Sequence, residues 1–252
     1  MSLIRLEKVT VSYGSQGVLR EINLQVEVGE CLVIMGPSGQ GKSTLLKTLS
    51  GLITPENGKV FVEQNDWLML SNTERSCELK KRGFLFQKNA LFDSLTCLEN
   101  ICFPLRETTL LPDTEVLRRG EDFLKAVDIL SARDLYPDEI SGGMQKRLGI
   151  ARALALGPQV VFYDDPTAGL DPITAKKIVE LILKLKAENK ATVIAVTNDI
   201  HRAYQMADRI GILIAGELVA LGPPEHIKNH SDLRVQQFIH GHINGPLTEV
   251  ES

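Results

Sequence analysis

The sequence predicts an α/β fold that is interrupted by a helical lobe. Three observations support this, the first being a set of short apolar runs typical of strands buried on both faces of a sheet: CLVIM (31–35), VVFY (160–163), TVIAV (192–196) and IGILIA (210–215). Second, a glycine-rich turn separates the first run from a helical pattern. Third, residues 89–157 have helical apolar spacing. We therefore expect an α/β core with a lobe at about 89–157.

The N-terminal thirty residues predict an antiparallel β subdomain. Apolar residues alternate with polar ones between positions 4 and 28, and Gly14, Gly17 and Gly29 punctuate them. This pattern is typical of short antiparallel strands joined by turns. Further along, FLF (84–86) predicts another buried strand.

Local signals mark the ends of the predicted helices. Thr96 and Glu99 have the spacing of a capping box, in which each side chain satisfies a backbone N–H of the other. A helical pattern runs over residues 143–156 and stops at Gly157 and Pro158, which are common after a helix. The predicted organisation is one domain over 1–252, with a core (1–88 and 158–230), a lobe (89–157) and a C-terminal tail (231–252).

Composition excludes several classes of protein. The chain has 252 residues, 43% of them hydrophobic, and a net charge of -4, which gives no basic footprint for nucleic acid. No apolar stretch approaches the roughly 18–20 residues of a membrane span, so we expect any membrane function to go through a partner. The cysteines form no C-x-x-C pair, which predicts reduced thiols and no zinc site: Cys31, Cys77, Cys97 and Cys102.

The segment GPSGQGKST (36–44), called the phosphate loop below, matches the pattern G-x-x-x-x-G-K-[ST] between a strand and a helix. Its glycines let backbone N–H groups face phosphate oxygens, next to the positive end of a helix. Lys42 would reach the β- and γ-phosphates, and Ser43 would bind Mg²⁺. The alternative, an ordinary glycine turn, is disfavoured by the strand–loop–helix context. The predicted nucleotide-binding residues are Gly36, Pro37, Ser38, Gly39, Gln40, Gly41, Lys42, Ser43 and Thr44.

Three acids follow the apolar run in VFYDDPTAGLD (161–171). A phosphate loop needs a carboxylate at the end of a neighbouring strand to hold the metal, and Asp164 has that position. Asp165, the next residue, is predicted to face the water that attacks the γ-phosphate. Asp171 precedes Pro172 and is better explained as a helix N-cap.

A third motif, EISGGMQKR (139–147), predicts a helix start with Ser141 as the N-cap. Gly142 and Gly143 would leave the N–H groups of that helix end exposed. Alone, this is an ordinary helix start. Combined with the other two motifs, in this order and spacing, it is a very specific indicator of one class of protein.

With these motifs the chain resembles the ATP-binding subunits of ABC transporters over essentially its full length. The resemblance implies a P-loop NTPase (RecA-like) core, ATP and Mg²⁺ as cofactors, and a second copy that completes each ATP site. It implies that Tyr13 stacks on adenine and that Gln87 contacts both Mg²⁺ and the attacking water. Without the resemblance, Tyr13 could be a strand aromatic and Gln87 a polar loop residue.

The same resemblance assigns two segments to the seam between the two copies. Residues 168–171 match the loop that crosses it. The signature residues bind the γ-phosphate of ATP held by the other copy: Ser141, Gly142, Gly143, Met144 and Gln145.

Finer resemblance points to the ATPases of the Mla-type phospholipid transporters. It lies in residues 87–107, in ISGGMQKR, in DPIT (171–174) and in RVQQFIHGHINGP (234–246). The last match is the most discriminating, because generic transporter ATPases lack it. The resemblance implies an integral-membrane permease and an MCE-domain lipid-binding protein as partners, at the cytoplasmic face of the inner membrane.

Two positions depart from the family. Asp165 replaces the usual glutamate that polarises the attacking water, and Asn198 replaces the usual histidine that contacts the γ-phosphate. Since losing one positioned catalytic contact costs on the order of 10²–10³ in rate, we expect a weak ATPase. His201, three residues on, is interpreted as a surface residue.

Three alternatives stay open. One is a regulatory ABC module that hydrolyses weakly or not at all. The second is the ATPase of an ABC transporter for another substrate. The third, a soluble ABC protein acting on ribosomes or chromosomes, usually has two ATPase halves or a long coiled-coil insertion, and this chain has neither.

Overall fold

The computed structural model describes residues 2–248, so residue 1 of the predicted core and residues 249–252 of the predicted tail lie outside the described residues. The strands within 2–248 are β1 (Ser2–Tyr13), β2 (Gln16–Glu27), β3 (Cys31–Met35), β4 (Asn57–Val62), β5 (Asn65–Asp66), β6 (Arg82–Leu85), β7 (Val160–Asp164), β8 (Thr192–Val196), β9 (Arg209–Ile214) and β10 (Glu217–Gly222). The α-helices there are α1 (Lys42–Leu49), α2 (Asn72–Lys80), α3 (Cys97–Thr108), α4 (Asp113–Ala126), α5 (Gly142–Leu154), α6 (Pro172–Asn189), α7 (Ile200–Met206), α8 (Pro224–Lys228) and α9 (Leu233–His240), and short 3-10 helices lie at Trp67–Met69, Leu130–Ala132 and Pro137–Glu139.

The chain divides into two compact units. Unit 1 consists of Met1–Arg75 and Val193–Ser252, and unit 2 consists of Ser76–Thr192. Each unit contains both strands and helices. The predicted subdivision into core, lobe and tail stays a prediction.

Unit 1 contains an antiparallel sheet with the strand order β2-β1-β4-β5. β1 and β2 have 12 residues each, longer than the short strands the sequence predicts. Lys8 and Glu21 adopt left-handed backbone (φ 47 at both) beside register shifts in this pair. Their N–H groups donate to side chains of the facing strand, at Asn23 Oδ1 (3.0 Å) and Thr10 Oγ1 (3.3 Å). Such bulges shift the alternation within one continuous strand, which explains why the sequence suggests shorter ones.

Unit 1 also contains parallel pairing around β3. β3 pairs in parallel with β9 on one side and with Val193–Val196 of β8 on the other, while β10 runs antiparallel to β9. All five residues of β3 are buried, as predicted for CLVIM. Because parallel strands end at the same edge of a sheet, β3 and β8 deliver the phosphate loop and Asn198 to one edge.

In unit 2, β6 and β7 are parallel neighbours. β7 is buried along its full length, whereas β6 is only partly so. Gly83 and Leu85 are buried, but Phe84 and Phe86 are half-buried and pack on each other with ring centroids 4.3 Å apart. The prediction of a fully buried strand at FLF is therefore wrong in this detail. The carboxyl ends of β6 and β7 lead to Gln87 and to the acid pair.

The predicted helix signals in unit 2 are confirmed. Thr96 Oγ1 accepts from the backbone N–H of Glu99 (3.2 Å), and Glu99 Oε2 accepts from that of Thr96 (2.8 Å), which forms the capping box of α3. α5 ends shortly before Gly157, which adopts the left-handed conformation (φ 64) that favours glycine.

Candidate functional site

In unit 1 the phosphate loop folds around the amine of Lys42. Lys42 Nζ donates to the carbonyl of Gly36 (2.8 Å) and to that of Pro37 (2.7 Å). The side chain is buried, with 9% of its residue surface exposed. A buried ammonium is thus held inside the loop by two main-chain oxygens.

Two glycines of the loop have no room for a side chain. A Cβ on Gly36 would lie 2.0 Å from the Leu213 carbonyl oxygen, and one on Gly41 would lie 2.9 Å from that of Val18. Both residues also have positive φ (153 and 96). Gly41 is the N-cap of α1 and carries no capping side chain, so no side chain at this position stands between the positive end of the helix and an anion. The spacing G-x-x-x-x-G thus has a steric basis.

The structure brings Asn198 to the phosphate loop. It follows β8, is exposed, and its Nδ2 donates a long hydrogen bond to Ser38 Oγ (3.5 Å). Gln40 of the same loop is held by the residue that follows β9, since its Oε1 accepts from the N–H of Ala215. Tyr13, the predicted adenine platform, ends β1 and is 56% exposed. His201 is exposed on α7, as predicted.

In unit 2 the two acids at the end of β7 have different environments. Asp164 is the last residue of the strand and is buried, with 6% exposed. Asp165 is half-buried in a left-handed conformation (φ 48), and its carbonyl accepts from the N–H of Ala168 (3.2 Å). The chain therefore turns sharply between the predicted metal ligand and the predicted water-positioning carboxylate.

These two acids influence a buried cation that the sequence did not indicate. Lys146 lies on α5 with only 4% exposed, and its Nζ donates to the carbonyl of Gln87 (2.7 Å). Burial lowers the pKa of Lys146, and the nearby carboxylates of Asp165 and Asp164 partly offset that shift. The signal in the sequence is a lysine three residues before Gly149 on the apolar face of the helix.

A cleft of about 380 Å³ separates the N-termini of α5 and α6. Ser141 Oγ caps α5 by accepting from the N–H of Met144 (3.4 Å), as predicted. Arg147 and Thr174, which the sequence did not single out, share the cleft with the signature residues and the 168–171 loop. The lining residues are Ser141, Gly142, Gly143, Met144, Arg147, Gly169, Leu170, Asp171 and Thr174.

Close packing and charge both shape this cleft. A Cβ on Gly143 would lie 2.9 Å from Thr174 Cγ2, so the second signature glycine permits the close approach of the two helix ends. Each helix N-terminus carries partial positive charge, which suits an anionic ligand. Gln145, the last signature residue, points its amide to the Pro137 carbonyl (2.7 Å).

Asp171 is an N-cap, as predicted. Its Oδ1 accepts from the N–H groups of Ile173 (3.0 Å) and Thr174 (3.1 Å). A hydrogen bond from the Thr174 side chain, together with these main-chain hydrogen bonds, holds the pKa of Asp171 below its usual value. Of the three acids in VFYDDPTAGLD, this one shapes a helix end.

The described part of the tail packs beside the phosphate loop in unit 1. A cavity of about 680 Å³ is lined by Pro37 and Gln40 of the loop and by residues of α9 and the turn after it. Gln237 of α9 is buried; its Nε2 donates to Thr248 Oγ1 (3.1 Å) and its Oε1 accepts from the N–H of Leu247 (2.7 Å). The family-specific segment 234–246 thus forms a folded element.

An antiparallel subdomain, a parallel sheet and a glycine loop between a buried strand and a helix define a P-loop NTPase of the ATP-binding-cassette type. A family model described as ABC transporter matches residues 19–168. The chain is 38% identical to the intermembrane phospholipid transport system ATP-binding protein MlaF of Haemophilus influenzae, covering 98% of this chain and 93% of that protein. It is 37% identical to a probable ribonucleotide transport ATP-binding protein, mkl, of Mycobacterium leprae, covering 97% and 70%.

Solved structures agree. A dimeric ATP-binding cassette, MJ0796, in a post-hydrolysis state bound to ADP and Pi, superposes with a TM-score of 0.81 at 35% identity, covering 88% of this chain and 98% of that one. CbiO1 of Clostridium perfringens, part of the ABC transporter complex cbiONQ, superposes with a TM-score of 0.83 at 26% identity, covering 96% of each chain. This chain belongs to the ABC transporter family of ATP-binding proteins. Within residues 2–248, none of its helices combines the length and apolarity that a membrane crossing requires.

Proposed function

We propose that this chain binds and slowly hydrolyses ATP to drive an ABC transporter that moves phospholipids at the bacterial inner membrane. The observation that carries the ATPase part is the phosphate loop closed around Lys42. The match to MlaF over 98% of the chain, which includes the tail, supports phospholipid as the substrate.

Unit 1 supplies the proposed phosphate grip. The Lys42 ammonium is already inside the loop, where it can exchange a main-chain carbonyl for a phosphate oxygen. The N–H groups at the start of α1 add hydrogen bonds to the same anion. Tyr13, exposed at the end of β1, offers an aromatic face for adenine. Asn198 can donate a hydrogen bond to the γ-phosphate.

The proposed Mg²⁺ ligands are Ser43, Gln87 and Asp164, assigned by the family resemblance. A hydroxyl, an amide oxygen and a carboxylate are hard oxygen donors, which is the set that Mg²⁺ prefers. Asp164 is buried at a strand end, where a bound cation would offset the cost of burying its charge. Bound Mg²⁺ would neutralise charge on the phosphates during transfer.

The proposed hydrolytic residues are Asp165 and Gln87, which would orient the attacking water. The Asp165 carboxylate is one methylene shorter than glutamate, and Asn198 cannot become a cation as histidine can. Each change weakens a contact to the reacting groups. Hydrolysis is therefore expected to be slower, by a factor on the order of 10²–10³, than in a site that has glutamate and histidine at these positions. The two losses need not add if they serve one step.

We propose that a second copy of the chain completes each site. The cleft at the N-termini of α5 and α6 would take the γ-phosphate of ATP bound by the other copy. The further partners are an integral-membrane permease and an MCE-domain lipid-binding protein, which would place the chain peripherally on the cytoplasmic face of the inner membrane. No nucleic acid is involved.

Two specific observations each favour a different alternative function. Asp165 and Asn198 together favour a regulatory module that binds ATP and hydrolyses little of it. The relative named as a ribonucleotide transport protein favours a transporter of the same class with another substrate.

The test is purification of the tagged chain from detergent-solubilised membranes of its own cells. A multi-span permease and an MCE-domain protein are expected to co-purify, and the reconstituted complex should transfer labelled phospholipid between vesicles only with Mg·ATP. A complex prepared with Lys42→Ala is the matched control. A complex that hydrolyses ATP but moves no phospholipid would contradict the substrate, and co-purification with ribosomes would contradict the class.

A further inference from the structure

One face of α5 holds the turn that carries Gln87, defined here as residues 86–90. Lys146 Nζ donates to the carbonyl of Gln87 (2.7 Å), and Arg152 Nη2 donates to that of Asn89 (3.0 Å). Between them, a Cβ on Gly149 would lie 2.5 Å from Leu85 Cδ1 and 3.6 Å from Asn89 Cβ. The three α5 residues are spaced by three and so lie on one side of the helix. The helix and the turn are in close contact at each of them.

The Gln87 turn has a backbone that needs support. Asn89 and Ala90 are consecutive non-glycine residues with left-handed φ (60 and 51). Main-chain hydrogen bonds close the turn, from Asn89 N–H to the Phe86 carbonyl (2.8 Å) and from Ala90 N–H to the Lys88 carbonyl (2.7 Å). Backbone of this kind persists only where its surroundings fix it, and such residues cluster at functional sites. The two cations of α5 provide that fixation.

Lys146 differs from Arg152 in its electrostatic surroundings. Lys146 donates to the carbonyl of Gln87 itself, and the carboxylates of Asp165 and Asp164 raise its pKa against the effect of burial. Arg152 donates to the carbonyl of Asn89 and lies over the Phe92 ring at 5.6 Å from its centroid. Both cations support the turn, but of the two it is Lys146 that holds Gln87 itself. A comparison of the two therefore separates the contact to Gln87 from support of the turn as a whole.

We propose that Lys146 is a positioning residue of the hydrolytic step: from the signature helix α5 it fixes the main chain of Gln87. The inference rests on the proposed function, because Gln87 and Asp165 act there on the attacking water. Lys146 itself touches neither nucleotide nor water in this scheme. Since Ser141 caps the same helix, a shift of α5 is passed on to Gln87 through Lys146 and Arg152.

The experiment compares full-length variants with matched volume. Lys146→Met removes the charge and the donor, Lys146→Arg keeps both, and Lys184→Met, on the exposed face of α6, is the control. We expect Lys146→Met to lower kcat at least tenfold with KM for ATP within twofold, and Lys146→Arg to recover kcat to within threefold. Arg152→Met should lower kcat less than Lys146→Met. Lys146→Gln replaces Lys146→Met if the latter does not fold.

Two kinetic results overturn the proposal. One is a kcat of Lys146→Met within twofold of Lys184→Met. The other is a loss of kcat in Lys146→Met that parallels its loss of thermal stability, with KM rising in proportion and with no recovery of kcat in Lys146→Arg. That result would show that Lys146 has a merely structural role.

Hydrogen exchange separates this proposal from the proposed function. If the parent protein hydrolyses no ATP, the proposed function fails, yet the amides of Asn89 and Ala90 still report on the turn. Faster exchange at these amides in Lys146→Met, relative to Lys184→Met, would support the positioning contact. Unchanged exchange would overturn it whatever the turnover shows.

Discussion

At the scale of single residues, the acids at the end of β7 differ in their backbones. Asp164 continues the strand, whereas Asp165 has a left-handed φ of 48. Aspartate and asparagine tolerate this region better than most side chains. Aspartate at 165 therefore lowers the backbone strain of this conformation, but its carboxylate reaches less far than that of glutamate. Glutamate at 165 would extend the carboxylate and would increase the backbone strain.

The first prediction concerns the Lys42 ammonium. Lys42→Ala removes a point charge from the phosphates and both hydrogen bonds that hold the loop, so tight Mg·ATP binding should be lost. Calorimetric titration measures this, with Lys47→Ala in the same helix as the control. Unchanged affinity in Lys42→Ala would remove the assignment of the phosphate loop.

The second prediction concerns the two departures from the family. The Asp165→Glu, Asn198→His double variant should hydrolyse ATP faster than the parent in the permease-bound complex, with KM nearly unchanged, because both contacts strengthen chiefly in the transition state. Asp165→Asn is the matched control, since asparagine tolerates the same left-handed backbone but lacks the charge. It should abolish the residual turnover and trap the ATP-bound dimer. If Asp165→Asn leaves the rate unchanged, this acid only shapes the turn.

At the scale of elements, helix N-termini organise unit 2. The N-caps of α3, α5 and α6 are Thr96, Ser141 and Asp171, whose side chains all accept from backbone N–H groups. The caps of α5 and α6 use only part of the donor capacity at the cleft between them. One kind of local interaction thus serves both folding and the proposed anion site.

The third prediction concerns the α5 end of the cleft. Ser141→Arg places a long cation where the γ-phosphate of the second copy's nucleotide is proposed to bind, and it removes the cap. The ATP-dependent dimer should be lost, while ATP binding by the monomer remains. Sedimentation with and without ATP measures this, and Ser131→Arg, at an exposed residue of the 3-10 helix Leu130–Ala132, is the control. An unchanged ATP-dependent dimer in Ser141→Arg would show that the signature does not act across the seam.

The fourth prediction concerns the capping box of α3. Thr96→Ala should lower the free energy of unfolding by about 1 kcal/mol, because the Glu99 N–H loses its acceptor. Thr96→Ser keeps the hydroxyl and should retain most of the stability. Urea unfolding of the three proteins gives the comparison, and equal midpoints would show that the cap contributes nothing.

At the scale of the whole molecule, the tail links the family-specific sequence to assembly. Residues 234–246 carry the resemblance to the Mla-type branch. Gln237 ties α9 to the turn that follows it, and α9 lines a cavity together with Pro37 and Gln40 of the phosphate loop. The exposed side chains of Leu233 (70%) and Ile243 (84%) leave apolar surface on this element. Apolar surface next to a folded tail suits contact with another chain.

The fifth prediction is that truncation from Val235 onward weakens the ATP-dependent dimer while the monomer still binds Mg·ATP. Truncation after residue 248 is the control and should leave the dimer intact. Sedimentation of both forms with ATP distinguishes them. Equal dimer formation by both truncated forms would argue that the tail has no role between subunits.

Signals that are local in sequence predicted the structure well. The buried strands β3, β7 and β8, the capping residues and the glycine loop all follow from short-range patterns. Bulges at Lys8 and Glu21 were not predictable, because each depends on a side chain in a facing strand. Lys146 escaped notice for the same reason, since its partner Gln87 lies far away in the sequence and burial of a lysine is set by tertiary packing.

The hydrogen bonds of Lys42 to its own loop also bear on the thermodynamics and speed of recognition. These bonds order the loop as part of folding, so its conformational entropy is lost before any nucleotide arrives. Binding of the nucleotide therefore does not have to include that entropy loss. A preorganised loop of this kind needs no slow ordering step when the nucleotide arrives, so affinity is adjusted mainly through the rate of dissociation. The same lysine thus contributes to nucleotide affinity twice, once as a charge and once by limiting the disorder of the free protein.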